Sequence, residues 1–169
     1  PFHHDLIFST ELIAHLKNSG ALKTDNIADL LIKKSQLGLP GNYIYALRNI
    51  ASDKTVTYLS GRRYFNNLRS IRSPKAVDCL IEGIKNHDGS CIIPPAIEPL
   101  AARDDKDTAL FSLMKYVEDS NNPYREIVIE HGLGVILKDE RALPIIIKYL
   151  EENIDNRDKR KSAVRAIGQ

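Results

Sequence analysis

Apolar positions recur at helical spacing along most of the chain, and in its second half they recur again at a longer one. The stretch Ser73 to Lys85, SPKAVDCLIEGIK, is echoed by KDTALFSLMKYVE from Lys106 and by DERALPIIIKYLE from Asp139. Ala76, Ala109 and Ala142 stand 33 residues apart. The same offset aligns Val77/Leu110/Leu143, Leu80/Leu113/Ile146, Ile81/Met114/Ile147 and Ile84/Val117/Leu150, all read as core positions. A fixed period of this size marks an array of small units, none of which buries its apolar face alone. The expected fold class is all-α: an α-solenoid of stacked antiparallel helix pairs, about five units in all. One domain is expected over residues 1–169, with irregular helices in 1–59 and regular 33-residue repeats in 60–169, the last one incomplete.

The shorter period places the elements in order. DLIFSTELIAHLKN reads as a helix that ends at Gly20. Asp25 or Asn26 caps a second helix through Gln36, with Ile27, Leu30, Leu31 and Lys34 on one face. Asn42 to Ser52 gives a third, with Ile44, Leu47 and Ile50 on one side. TVTYLS from Thr55 is rich in β-branched residues, but a lone strand would leave its ladder unpaired, so a connector or shortened helix is expected. RRYFNNLRSI turns Tyr64, Phe65, Leu68 and Ile71 inward and Arg62, Asn66 and Arg69 to the opposite face. Ser73-Pro74 starts a helix to about Asn86, and Asp88-Gly89 turns the chain.

In SCIIPPAIEPLAARD, Pro94 and Pro95 suit a first helical turn, whereas Pro99 predicts a kink. Asp104 to Asp107 opens the second copy, which ends near Ser120. Asn122-Pro123 is expected to cap YREIVIEHGLGVILK, a helix apolar on nearly all sides and so buried between layers. Asp139 caps the third copy, Pro144 predicts a bend early in it, and KRKSAVRAIG begins a final helix after a turn at Asn153 to Asp158.

RKSAVRAIG (Arg160 to Gly168) is similar to the first helix of the short HEAT-like repeat, also called the phycobilisome-lyase repeat. RALPIII (Arg141 to Ile147), SPKAVDCLI (Ser73 to Ile81) and DTALFSLM (Asp107 to Met114) resemble its second helix, and FNNLRSIRSPKAVDCLIEGI gives the pair in order. The resemblance covers roughly residues 60 to 169, with a weaker echo in NYIYALRNIAS. It departs from the pattern at the three prolines after Gly89 and in the first sixty residues. It implies a right-handed superhelix whose second helices line a concave face. Its members include scaffolds, chromophore-lyase subunits and regulatory adaptors. Ankyrin and tetratricopeptide arrays have nearby periods, but their TPLHxA turn and Trp markers are missing here.

Composition changes this picture little. The chain is 43% hydrophobic and 27% charged, as globular proteins are, and its formal net charge of +2 gives no general argument for nucleic acid. No apolar run nears the roughly 20 residues that span a bilayer, no signal segment stands at the front, and a cytoplasmic location is expected. Cys79 and Cys91 lack a CxxC pattern and read as free thiols in a reducing compartment. With Pro1 rather than Met in front, the chain is expected to be a fragment, processed product or trimmed form of a longer one.

Candidate chemistry is sparse. The histidines at 3, 4, 15, 87 and 131 form no HExxH pattern. His3 and His4 read as solvated, and His131 as a hydrogen-bonded core residue. His87 and Cys91 face each other across a turn but lack two further zinc ligands. No GxSxG, phosphate loop or dinucleotide fingerprint is present, and Gly132-Leu133-Gly134 reads as close helix packing. The carboxylates of AARDDKD and KDER suit helix starts. No catalytic residue, metal or cofactor is expected.

Two basic groups remain: Arg62, Arg63, Arg69 and Arg72, and Arg157, Lys159, Arg160, Lys161 and Arg165. Both lie on or beside the second helix of a pair. A basic strip there grips an acidic protein segment or a phosphate backbone. Against this stands a solvated face neutralised by Asp155 and Asp158, with the arginines of the last helix bridging to a neighbouring unit. The expected function is a non-enzymatic protein-interaction scaffold or adaptor with Arg62, Asn66, Arg69, Arg125, Arg160, Lys161 and Arg165 facing the partner. The alternatives are a nucleic-acid-binding helical-repeat protein of the DNA-glycosylase kind, opposed by the lack of Trp, and a chromophore-lyase or phycobilisome-handling subunit. No membrane partner is expected.

Overall fold

Ser52, Asp139 and Asn156 cap helices through their side chains, and Pro40 and Pro74 open two more. A computed structural model describes residues 24–36, 40–50 and 52–168, and these contain helices and turns but no strand. The helix expected over DLIFSTELIAHLKN lies outside the described residues, as do His3, His4 and His15. The chain divides into two compact units, Pro1–Ala76 and Val77–Gln169.

In the first unit, α1 (Thr24–Ser35) packs on α2 (Pro40–Arg48) and α3 (Asp53–Gly61), and α4 (Phe65–Leu68) adds a single turn. Ile27, Ala28, Leu31, Ala46, Leu47 and Ile50 form its core. Leu30, expected on the same face, points outward. The third helix stops at Arg48, not Ser52, because Ser52 serves the next one: its hydroxyl accepts the Thr55 N–H at 3.2 Å. That cap makes TVTYLS part of a nine-residue helix with Val56 and Leu59 fully buried. Helical bonding there satisfies the backbone locally, which a lone strand could not.

Helix α5 (Pro74–Lys85) begins at the expected proline, and the unit boundary falls within it. Gly89, at φ +75°, closes the turn after it, where the Asp88 carboxylate accepts the Ser90 N–H at 3.0 Å. No long kinked helix follows. Helix α6 spans only Ile97–Ala101, which puts Pro99 in its first turn, where its missing N–H has no helical acceptor to leave. The bend expected at Pro144 is avoided the same way. A 3₁₀ turn at Glu140–Ala142 leads into α9 (Leu143–Glu152), with the proline at its second position.

Between these lie α7 (Lys106–Glu118) and α8, which opens with Arg125–Ile127 and continues as a π-helix over Val128–Leu137. Ten consecutive π-helical residues are unusual, since this geometry mostly occurs as single turns. The segment packs against α6, α7 and the last helix, α10 (Arg157–Ile167), which explains why it is apolar nearly all round. Asn122-Pro123 does not cap it. Asn122 instead donates to the Tyr116 carbonyl at 2.6 Å, the Tyr116 hydroxyl donates to the Pro123 carbonyl, and Tyr124 enters the helix in the left-handed region at φ 61°. Asp139 caps as expected, its carboxylate accepting the Arg141 N–H at 3.0 Å.

The 33-residue register is visible in the burial. Ala76, Ala109 and Ala142 have no exposed surface, and neither do Leu80, Leu113, Ile84 and Val117. Ile81 and Met114 are only half-buried, however, and their counterpart Ile147 is exposed. That column lies at the edge of α5, α7 and α9 rather than in the core, and Leu143 and Leu150 of the third copy, also expected inside, are likewise only half-buried.

Candidate partner-binding residues

The first unit carries Arg62, Asn66 and Arg69, all exposed. Arg62 ends α3, its N–H donating to the Tyr58 carbonyl at 3.2 Å, and Arg63 reverses the chain at φ 56°. The single turn of α4 then buries Phe65 and Leu68, which leaves Asn66 and Arg69 on the solvent side.

The second unit carries the other four. Arg125 points into the protein, with 13% of its side chain exposed. Its Nε donates to the Val117 carbonyl at 2.5 Å and its Nη2 to Glu152 at 2.9 Å, and the guanidinium lies 4.8 Å from the centre of the Tyr149 ring. Burial pushes the Tyr149 hydroxyl up to about 12. Arg125 thereby ties α7, α8 and α9 together. Arg165 pairs with Glu130 of the π-helix at 3.2 Å, and Ser162 donates to Glu126 at 2.8 Å. These two contacts form a lateral bridge between α8 and α10. Arg160 donates to the Ile154 carbonyl at 2.6 Å and stays exposed, as does Lys161.

Helix α10 holds five basic residues and one acidic one, Asp158. Ser162, Ala163 and Ala166 face inward; Arg157, Arg160, Lys161, Val164 and Arg165 share the outer side. The outward surface of this helix is cationic, with Val164 and Ile167 as its exposed apolar members.

One buried charge escaped the reading of AARDDKD. Arg103 is 1% exposed and grips Asp105 through both carboxylate oxygens, at 2.7 and 3.1 Å. Burial alone would raise the Asp105 carboxyl; the hydrogen bond and charge of Arg103 outweigh it and hold the group below the usual aspartate range. Asp105 starts α7 without capping it, being occupied by the arginine. The Tyr149 and Glu152 platform was also missed, although its signal was present in MKYVED and IKYLEE.

Among the described residues no three His, Cys, Asp or Glu side chains group as metal ligands. The Cys91 Sγ lies 3.5 Å from the His87 Nε2, which also meets the Cys91 carbonyl at 2.8 Å. His131 is half-buried. No helix among the described residues is long and apolar enough to cross a membrane. Compared with protein-family models, curated proteins and solved structures, the chain matches none.

Proposed function

We propose that the protein is a non-enzymatic interaction module: a HEAT-like solenoid of the cytoplasm that binds a partner protein through exposed basic side chains. The observation that carries this reading is the outer face of α10, where Arg157, Arg160, Lys161 and Arg165 are all exposed. The identical burial of Ala76, Ala109 and Ala142 supports the repeat on which it rests. Arg62 and Arg69 form the cationic surface of the first unit. Arg125 supports the second from within, since its guanidinium is already engaged. A partner with an acidic segment fits this surface, and its binding weakens as salt rises.

The test pairs two double variants, Arg62→Glu with Arg69→Glu and Arg160→Glu with Lys161→Glu, in a pull-down across a salt series. Loss of partner in either variant supports the corresponding surface. Unchanged recovery in both overturns it, and a low-salt gel shift that retains a duplex would move the reading to nucleic acid.

A further inference from the structure

Two exposed rows of the second unit carry opposite charge. On α10, Arg157, Lys161 and Val164 recur at i, i+4 and i+7, on the side away from the buried Ser162, Ala163 and Ala166. On α9, Ile147 and Glu151 stand four apart, away from the buried Ile145, Ile146 and Tyr149, and the exposed Ile154 and Asp155 follow in the turn after it. The apolar members match as the charges do. Ile147 and Ile154 are 44% and 52% exposed; Val164 and Ile167 are 54% and 42% exposed. One row is thus apolar and acidic, and the other is apolar and basic.

These charges do not neutralise each other within the chain. Among the described residues neither Glu151 nor Asp155 forms an ion pair, and of the cations of α10 only Arg165 does, with Glu130. The pairing of α10 with Asp155 that the sequence allowed is therefore not made. Lys148, on the flank of the acidic row, turns to Glu152 at 3.9 Å, and so weakens the row without reversing its sign. Opposite charges interleaved with exposed isoleucine and valine suit an interface between two molecules, where each apolar group is covered and each charge meets its opposite.

We propose that the acidic segment received by the cationic face of α10 is the α9 row of a second copy of this chain. The inference rests on the reading of α10 as an interaction face and supplies that face with an occupant. Contacts this small and this charged give a weak, salt-sensitive association.

Sedimentation equilibrium of the whole protein tests it. At about 100 μM protein and low salt, the average mass should exceed that of one chain and return to it in high salt. Two variants reverse one row each: Arg157→Glu with Lys161→Glu, and Glu151→Lys with Asp155→Lys. All four positions are exposed, so circular dichroism should be unchanged. Each variant alone should sediment as a single chain, because like charges then face each other. Their equimolar mixture should associate again, since each offers the row the other lacks. A wild-type protein that stays a single chain, a variant that associates alone as the wild type does, or a mixture that fails to associate would each overturn the inference. A single-chain wild type whose Arg160→Glu, Lys161→Glu form still loses a partner in the pull-down would overturn self-association and leave the proposed function standing. Association that follows the charge exchange beside an unchanged pull-down would support self-association and remove the separate partner.

Discussion

Gly134 approaches Ala166 so closely that a Cβ on the glycine would sit 2.5 Å from the alanine Cα and 2.8 Å from its Cβ. Helix α10 rests on the π-helix at this point, and the obstacle is partly backbone, so no rotamer change relieves it. Gly132, two residues earlier, would place a Cβ 3.5 Å from Ile97 and Leu113, an ordinary contact. Gly134→Ala should therefore destabilise the protein by about 1–3 kcal/mol through overpacking. Gly132→Ala should be neutral or stabilise it by up to about 1 kcal/mol through the lost backbone entropy of glycine. Thermal melts of the two variants check the contrast, and equal melting temperatures would refute it.

Arg125→Ala removes the fork to Glu152, the bond to the Val117 carbonyl and the cover over Tyr149. A loss of about 1–3 kcal/mol is expected, since the carbonyl and ring are left in a partly dry groove. Arg125→Lys should recover less than half of it, because an ammonium does not reproduce the stack and fork together. Tyr149→Phe keeps the ring. The Tyr149 hydroxyl is buried without a hydrogen-bond partner, so its removal should leave stability unchanged or slightly raised. Urea titrations of the three variants provide the test.

Acid should weaken the second unit at two defined places. Asp105 is held below its ordinary range once the Arg103 contact overcomes burial, and Asp139 is held down to about 2 by the side-chain hydrogen bond from Arg141. Arg141 also reaches Asp107 at 2.8 Å, so it ties the start of α7 to the turn before α9. A depressed carboxyl contributes fully above its unfolded value near 3.9, and the contribution is lost as pH falls through the folded value. The melting temperature should be flat from neutral pH to about 5 and fall below about 4. Asp105→Asn should lower it at pH 7 and flatten the acid limb; an unchanged limb in that variant would exclude the Arg103 pair as a cause.

Equivalent positions should respond alike where their burial is alike and differently where it is not. Leu80→Ala and Leu113→Ala, both at fully buried sites, should each cost about 2–5 kcal/mol. Ile147→Ala is 44% exposed at its site, and should cost under about 1 kcal/mol. Chemical denaturation of the three variants distinguishes core positions from the outer column.

The residues explain which expectations were legible. Helix starts at Pro74 and Asp139 depend on signals a few residues long, and the buried alanines recur at one fixed spacing that can be read off the chain. Pro99 and Pro144 misled because a proline is disruptive only in a helix interior, and the chain moved the helix start until each fell in a first turn. Arg125 was expected to face a partner, yet it is turned inward. Only the neighbouring helices reveal that a ring and a carboxylate await it.

By itself, the sequence determined that the described chain is helical, that helices open at Pro74 and Asp139, and that the alanine column is buried, since these follow from local bonding and periodicity. The tertiary structure alone decided the π-helical course of Val128–Leu137, the contact of Gly134 with Ala166 and the burial of Arg103. Each of those depends on side chains distant in sequence competing for the same volume or the same charge, and no local pattern encodes the outcome of that competition.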